Sequence, residues 1–311
     1  MAALFSAAVV REAGIDDAHG AAALFQLVYP EFVTTPAGTR HFMSTSPPAA
    51  QRHWWCAESE GEIIGWATAA LVVDTSEEGV VWISLVVHPE HRGQGIGTTL
   101  AELAEQHATV IRARRILARS RADDASAAFV RSRGLIQTSS ADLLVVDPRT
   151  VAAPDPPAGV ALLPFAAFES DPSPVHHVDA VAVLDEPGDV TFDEMPFDRW
   201  LENFWRHPLL DHDASFVAAV DGVPAALTCI ETDRELGRGS NNGTGTLPEY
   251  RRRGLATLAK RASLSRAATL GITAVYTGND VTNDPMQAIN KKLGYTPSST
   301  LLSWARELAT A

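Results

Sequence analysis

Pro89-Glu90-His91-Arg92-Gly93-Gln94-Gly95-Ile96-Gly97 returns at residues 248–256 as Pro248-Glu249-Tyr250-Arg251-Arg252-Arg253-Gly254-Leu255-Ala256. Each copy closes an extended apolar stretch and opens an amphipathic helix, so the chain reads as a tandem of one fold. The first N–H groups of a helix lack intrahelical partners and carry the positive end of its dipole, which suits a ligand phosphate. The repeated loop therefore predicts a phosphate-bearing cofactor.

Working outward, 311 residues make two domains of about 150 residues each, enough for two independent cores. With 46% hydrophobic and 20% charged residues, the composition is that of a globular protein and excludes disordered and collagen-like chains. A formal net charge of −13 opposes non-specific binding to nucleic acid. Cys56 and Cys229, one in each half at comparable strand-like positions, are too few for a disulfide framework. They read as small core residues in a reducing cytoplasm. Ala2 to Val10 is too short to span a bilayer and lacks a basic start, so a cytoplasmic protein with no membrane partner is predicted.

Asp147 to Gly159 carries four prolines, which remove backbone donors and disfavour a helix or central strand. This places an N-terminal domain at 1–147, a linker at 148–159 and a C-terminal domain at 160–311. In the first half, periodicity predicts strands at 9–13, 53–58, 63–73, 80–88 and 115–120, helices at 16–29, 94–108 and 124–132, and a hairpin region through 146. In the second half it predicts strands at 160–165, 215–220, 224–232, 241–247, 273–278 and 299–305, with helices at 254–270 and 284–292. The fold class is α/β (α+β), with two similar domains that each carry a mixed sheet flanked by helices.

Two better-known glycine motifs fail. The dinucleotide fingerprint needs a glycine where Thr98 stands, and the nucleotide-binding P-loop needs a lysine and hydroxyl pair that neither copy has. What remains, Arg/Gln-x-x-Gly-x-Gly/Ala between a strand and a helix, resembles the acyl-CoA-binding loop of the GCN5-related N-acetyltransferase (GNAT) family. The later helices ending Phe129-Val130-Arg131-Ser132-Arg133-Gly134-Leu135 and Ile289-Asn290-Lys291-Lys292-Leu293-Gly294-Tyr295 fit the same resemblance, which covers about 9–146 and 160–305. It implies tandem GNAT domains with splayed central sheets and acetyl-CoA, or another short acyl-CoA, as cofactor.

Small residues in both loops let the main chain approach phosphates with N–H groups outward. The resemblance assigns Arg92, Gly93, Gln94, Gly95, Ile96, Gly97 and Thr98, and Arg251, Arg252, Arg253, Gly254, Leu255, Ala256 and Thr257, to the cofactor phosphates. Arg252 and Arg253 read equally well as a solvated face. The same resemblance lays the pantetheine arm along Leu85, Val86 and Val87, and along Gly245, Thr246 and Leu247, where a backbone N–H can polarise the acetyl carbonyl and stabilise an oxyanion. The polar stretch Thr277 to Met286 is similar to the C-terminal half of tandem acetyltransferases such as mycothiol synthase, which makes Asn279, Asn283 and Asn290 cofactor contacts. Asn279 and Asn283 also read as turn and helix caps.

Many GNAT members place a tyrosine four residues before the glycine of the last helix, as the acid for the departing thiolate. Val130 and Asn290 stand there in this chain; the first cannot donate a proton and the second is no practical acid. A thiol of pKa about 8.5 is already a tolerable leaving group. Glu231 is the expected base and Asp280 the second choice, although each also reads as a surface carboxylate. Phe192, Phe197, Trp200, Phe204 and Trp205 read first as core packing, and otherwise as a wall of the acceptor cleft. Proline breaks the histidine spacing in His207-Pro208-Leu209-Leu210-Asp211-His212-Asp213, so no metal is expected. The chain is read as a monomeric or homodimeric enzyme moving an acetyl group directly to a small-molecule amine, with chemistry in the C-terminal copy. A catalytically silent acyl-CoA-binding or sensing protein is the alternative.

Overall fold

The computed structural model describes residues 8–184 and 188–308. The first half runs β1 (Val9–Glu12), α1 (Ala18–Val28), α2 (Pro36–Ser44), β2 (His53–Ser59), β3 (Glu62–Leu71), β4 (Val80–Val87), α3 (Ile96–Val110), β5 (Arg115–Arg121), α4 (Asp124–Ser132) and β6 (Ile136–Val146). The second runs β7 (Val160–Pro164), α5 (Ser173–Val183), α6 (Phe197–Trp200), β8 (Phe216–Val220), β9 (Val223–Asp233), β10 (Arg238–Thr246), α7 (Leu255–Thr269), β11 (Ala274–Asp280), α8 (Asp284–Lys292) and β12 (Thr296–Glu307). A single strand, β6, replaces the expected hairpin before 146. Helices α2 and α5 had no counterpart in the sequence reading.

Two compact units form, and neither is a continuous half of the chain. Residues 302–308 belong with the first unit, while the described residues of 139–301, together with 31–33, make the second. The proline-rich stretch is therefore not the boundary, because hydrogen bonding overrides it: β6 pairs antiparallel with β11 from Ala141↔Asp280 to Val146↔Val275. At the other end Trp304 of β12 is wholly buried in the first unit's core, where its indole N–H donates to Ser120 Oγ at 2.9 Å.

In the first unit β1, β2, β3 and β4 pair antiparallel in that order, and β4 pairs parallel with β5. Alternate positions of β2, β3 and β4 send Trp55, Ala57, Ala67, Val81 and Ile83 onto the buried stripe Ile96, Leu100, Ala104 and Ala108 of α3. The other sheet face meets Ala18, Ala21, Leu24 and Val28 of α1. The second unit repeats this order as β7, β8, β9, β10 and β11, with β11 parallel to β10. There α7 packs through Leu255 and Ala259, while Trp200 and Trp205 lie in the core of the opposite face. The aromatic stretch is thus core in the main. Cys56 and Cys229 are both free and buried, but on non-equivalent strands, the second and third of their units.

Candidate active site

The repeated loop folds alike in both units. Arg92 Nε donates to the carbonyl of Val87 and Arg251 Nε to that of Thr246, each at 3.2 Å, so both arginines tie the loop to the last residue of the preceding strand. Gly95 and Gly254 then cap α3 and α7 at φ +86° and +76°, a left-handed conformation that glycine takes without a Cβ penalty. The second copy places Arg252 at φ +62°, where the first has Gly93 at +76°. Leu255, like Ile96, is a buried core residue and cannot present its side chain to a ligand. Arg253 lies over the Tyr250 ring at 5.5 Å.

Before each loop the sheet splays. In the first unit β4 and β5 pair only from Val80↔Arg115 to Ile83↔Ala118, leaving Ser84 to Val87 free on that side. A cavity of about 450 Å³ opens there, and its walls include Leu85, Val86, Val87, Arg92, Gly93, Gly95, Gly97 and Thr98. Of the first-copy residues expected at a cofactor, only Gln94 and Ile96 are not on that wall. Val130 lines it too, offering an apolar surface.

In the second unit β10 and β11 pair from Arg238↔Ala274 to Asn241↔Thr277 and then part. A bulge falls at that point: the register with β9 slips between Asn241↔Ile230 and Gly243↔Cys229, and Asn242 drops out of the ladder. The first unit pairs β3 with β4 without a slip. Such bulges re-aim side chains and free main-chain groups beside active sites. Leu247 departs from expectation, since its N–H donates to Ala225 and its side chain is buried in core, so its backbone donor is not offered to the cleft.

Glu231 of β9 is the cross-strand partner of Ser240 of β10, next to the bulge. Burial pushes its carboxyl up to about 7, against a lowering hydrogen bond from Asn242, and its Oε1 lies 3.5 Å from Nδ1 of His207. A carboxylate that titrates near neutrality is suited to general base work. Asp280 is used differently: its Oδ1 accepts from the N–H and hydroxyl of Thr282 at 2.9 and 2.6 Å, holding the turn after β11.

Asn283 caps α8 by accepting from the Met286 N–H at 3.3 Å. Asn290 is fully buried, and its Oδ1 is taken by Nζ of Lys260 at 2.6 Å. Among the described residues Nδ2 of Asn279, Nδ2 of Asn290 and the Tyr295 hydroxyl are buried without a hydrogen-bond partner. Orphaned donors of this kind are costly unless a polar ligand meets them, and a pantetheine arm with its amide carbonyls is chemically suited to do so.

Sequence reasoning missed the bulge, Lys260 and Tyr295. A glycine every second residue in Gly243-Thr244-Gly245 signals a bulge or a close backbone approach within a strand. Lys260 falls on the helix face otherwise formed by Leu255, Ala259 and Leu264, which marked it as a lysine headed inward.

The family described as Acetyltransferase (GNAT) family matches residues 21–135 and 165–295, one match in each half. The chain belongs to the GNAT family. A tandem GNAT protein from the clavulanic acid biosynthesis pathway is similar over 98% of this chain and 100% of its own, with 19% identity and a TM-score of 0.74. A GCN5-related N-acetyltransferase from Sphaerobacter thermophilus is similar over 96% and 95%, with 16% identity and a TM-score of 0.71. At these identities the likeness is one of fold. Among curated proteins none matches the sequence. GNAT membership makes the two loops and clefts the places to look for an acyl-CoA. No helix among the described residues is long and apolar enough to cross a membrane.

Proposed function

We propose that this GNAT protein moves a short acyl group, most simply acetyl, from acyl-CoA to the primary amine of a small molecule by direct transfer. The first unit holds acyl-CoA without turnover and the second carries the chemistry. The observation that carries this reading is Glu231 beside the β10 bulge, where the sheet opens. The first unit has a cleft and a loop, but its β4 is regular and Val130 lines its cavity.

In each unit the N–H groups at the start of α3 or α7 hold the cofactor phosphates, and Arg92 and Arg251 keep those loops in place. Bound acyl-CoA supplies an activated acyl group. In the second unit Glu231 takes the proton from the attacking amine, and main-chain groups released at Asn242 polarise the acyl carbonyl. Asn279, in β11 beyond the point where β10 and β11 part, offers its buried amide to the acyl-CoA, while Asn283 serves as a helix cap. Two buried free cysteines accord with a reducing cytoplasm.

Calorimetric titration with acetyl-CoA, followed by turnover against a panel of primary amines, tests this reading. Gly254→Glu, which sets bulk and charge at the α7 cap, abolishes turnover and one binding event; Gly95→Glu removes the other event and leaves the transfer step. Glu231→Gln lowers turnover about 10²- to 10⁴-fold with acetyl-CoA affinity kept. Undiminished turnover in Glu231→Gln refutes the base, and turnover lost in Gly95→Glu but kept in Gly254→Glu moves the chemistry to the first unit.

A further inference from the structure

Ala101, Val130 and Leu135 line the first unit's cavity, on α3, on α4 and just after it. The repeat puts Lys260, Asn290 and Tyr295 at the matching positions of the second unit, on α7, on α8 and just after it. There they form one cluster: Nζ of Lys260 donates to Asn290 Oδ1 at 2.6 Å and lies 5.1 Å from the centre of the Tyr295 ring. Lys260 is 1% exposed and Asn290 0%. An ammonium carries three donors, and here an amide oxygen and a ring face are its neighbours. A buried cation with so little compensation is costly, which calls for an acceptor supplied from outside the chain.

We infer that Lys260 is the catalytic acid of the second unit, giving a proton from Nζ to the CoA sulfur as the acyl carbon–sulfur bond breaks. The acceptor nitrogen forms a bond to the acyl carbon and yields its proton to Glu231; the carbon–sulfur electron pair goes to sulfur, which takes the proton from Lys260. Both side chains then return to their starting protonation through solvent. Burial lowers Lys260 to about 7, against a smaller opposing effect of Cys229, so the ammonium gives up a proton readily near neutrality. Ala101 offers no such group in the first unit. The inference rests on the reading that the second unit carries the chemistry.

The pH dependence of turnover gives a readout that a merely structural lysine would not move. Gly95→Glu protein, with acetyl-CoA confined to the second unit, is assayed across pH with the primary amine it turns over fastest. The expected result is a profile with a falling limb as the Lys260 ammonium is lost, and Lys260→Met lowers turnover about 10²-fold, keeps acetyl-CoA affinity and abolishes that limb. A profile with no falling limb in the protein that keeps Lys260 overturns the inference without recourse to the lysine variant, as does a falling limb that Lys260→Met leaves in place. Failure of the Gly95→Glu protein to bind acetyl-CoA at all instead overturns the assignment of chemistry to the second unit.

Discussion

Arg252 shows how one residue separates two loops that otherwise fold alike. It holds a left-handed backbone at φ +62°, where the first copy has glycine, and such a conformation costs a residue with a Cβ about 1–2 kcal/mol. Arg252→Gly is therefore expected to stabilise the second unit by about 1 kcal/mol in urea unfolding. Lys260 makes a second prediction, with its sign fixed by linkage. Its folded pKa of about 7 lies below the ordinary 10.5, so the unfolded chain binds more protons between those values. The contribution of Lys260 to stability rises from pH 7 to pH 10.5 and is lost as pH falls through 7; denaturation across that range should show the slope, and Lys260→Met should flatten it. For Glu231, raised to about 7, ionisation of the carboxyl gives the activity profile its rising limb, while loss of the Lys260 ammonium over the same range gives the falling one, so activity should peak near pH 7 and Glu231→Gln should remove the rising limb. At this scale the arginines and glycines of the loop were legible, because their spacing is local. The partner of Lys260 was not, since Asn290 comes from another helix and helix propensity accepts a lysine on any face.

At the scale of elements, the paired strands at 53–58 and 63–73 and at 215–220 and 224–232, the strand before each loop and the helix after it all stood out by period. The helices α2 and α5 did not, because neither presents a long apolar repeat; their positions come from what they cover. For α5 the cover is close. A Cβ built on Gly245 of β10 would stand 2.1 Å from the Cβ of Ala182, so this strand is lined with glycine where the helix rests. Gly245→Leu should cost about 1–3 kcal/mol through overpacking, read as faster hydrogen exchange in α5 and a lower unfolding midpoint. The splay of β10 from β11 was expected from family resemblance. The slip at Asn242 is a pairing fact, and no single strand carries it in its own residues.

At the scale of the whole molecule, the proline-rich stretch was a sound local signal and a poor boundary. Prolines end strands, but they do not decide which sheet the flanking strands join, and β6 bonds to β11. Trp304 makes the same point from the other end. Trp304→Ala should cost the first unit about 3–5 kcal/mol and speed hydrogen exchange through α3 and β5 while leaving β8 and β9 protected. Its indole N–H to Ser120 and the Arg131 guanidinium over its ring are lost together.

That membership also fixes the order of events at the ribosome. A chain emerging at about 5–20 residues per second would ordinarily finish its leading domain first. Here the leading unit waits for β12, so its core stays open through synthesis of nearly the entire second unit and closes only once β12 has emerged. The copy translated first is the copy completed last, and its exposed face is what a nascent-chain chaperone would meet.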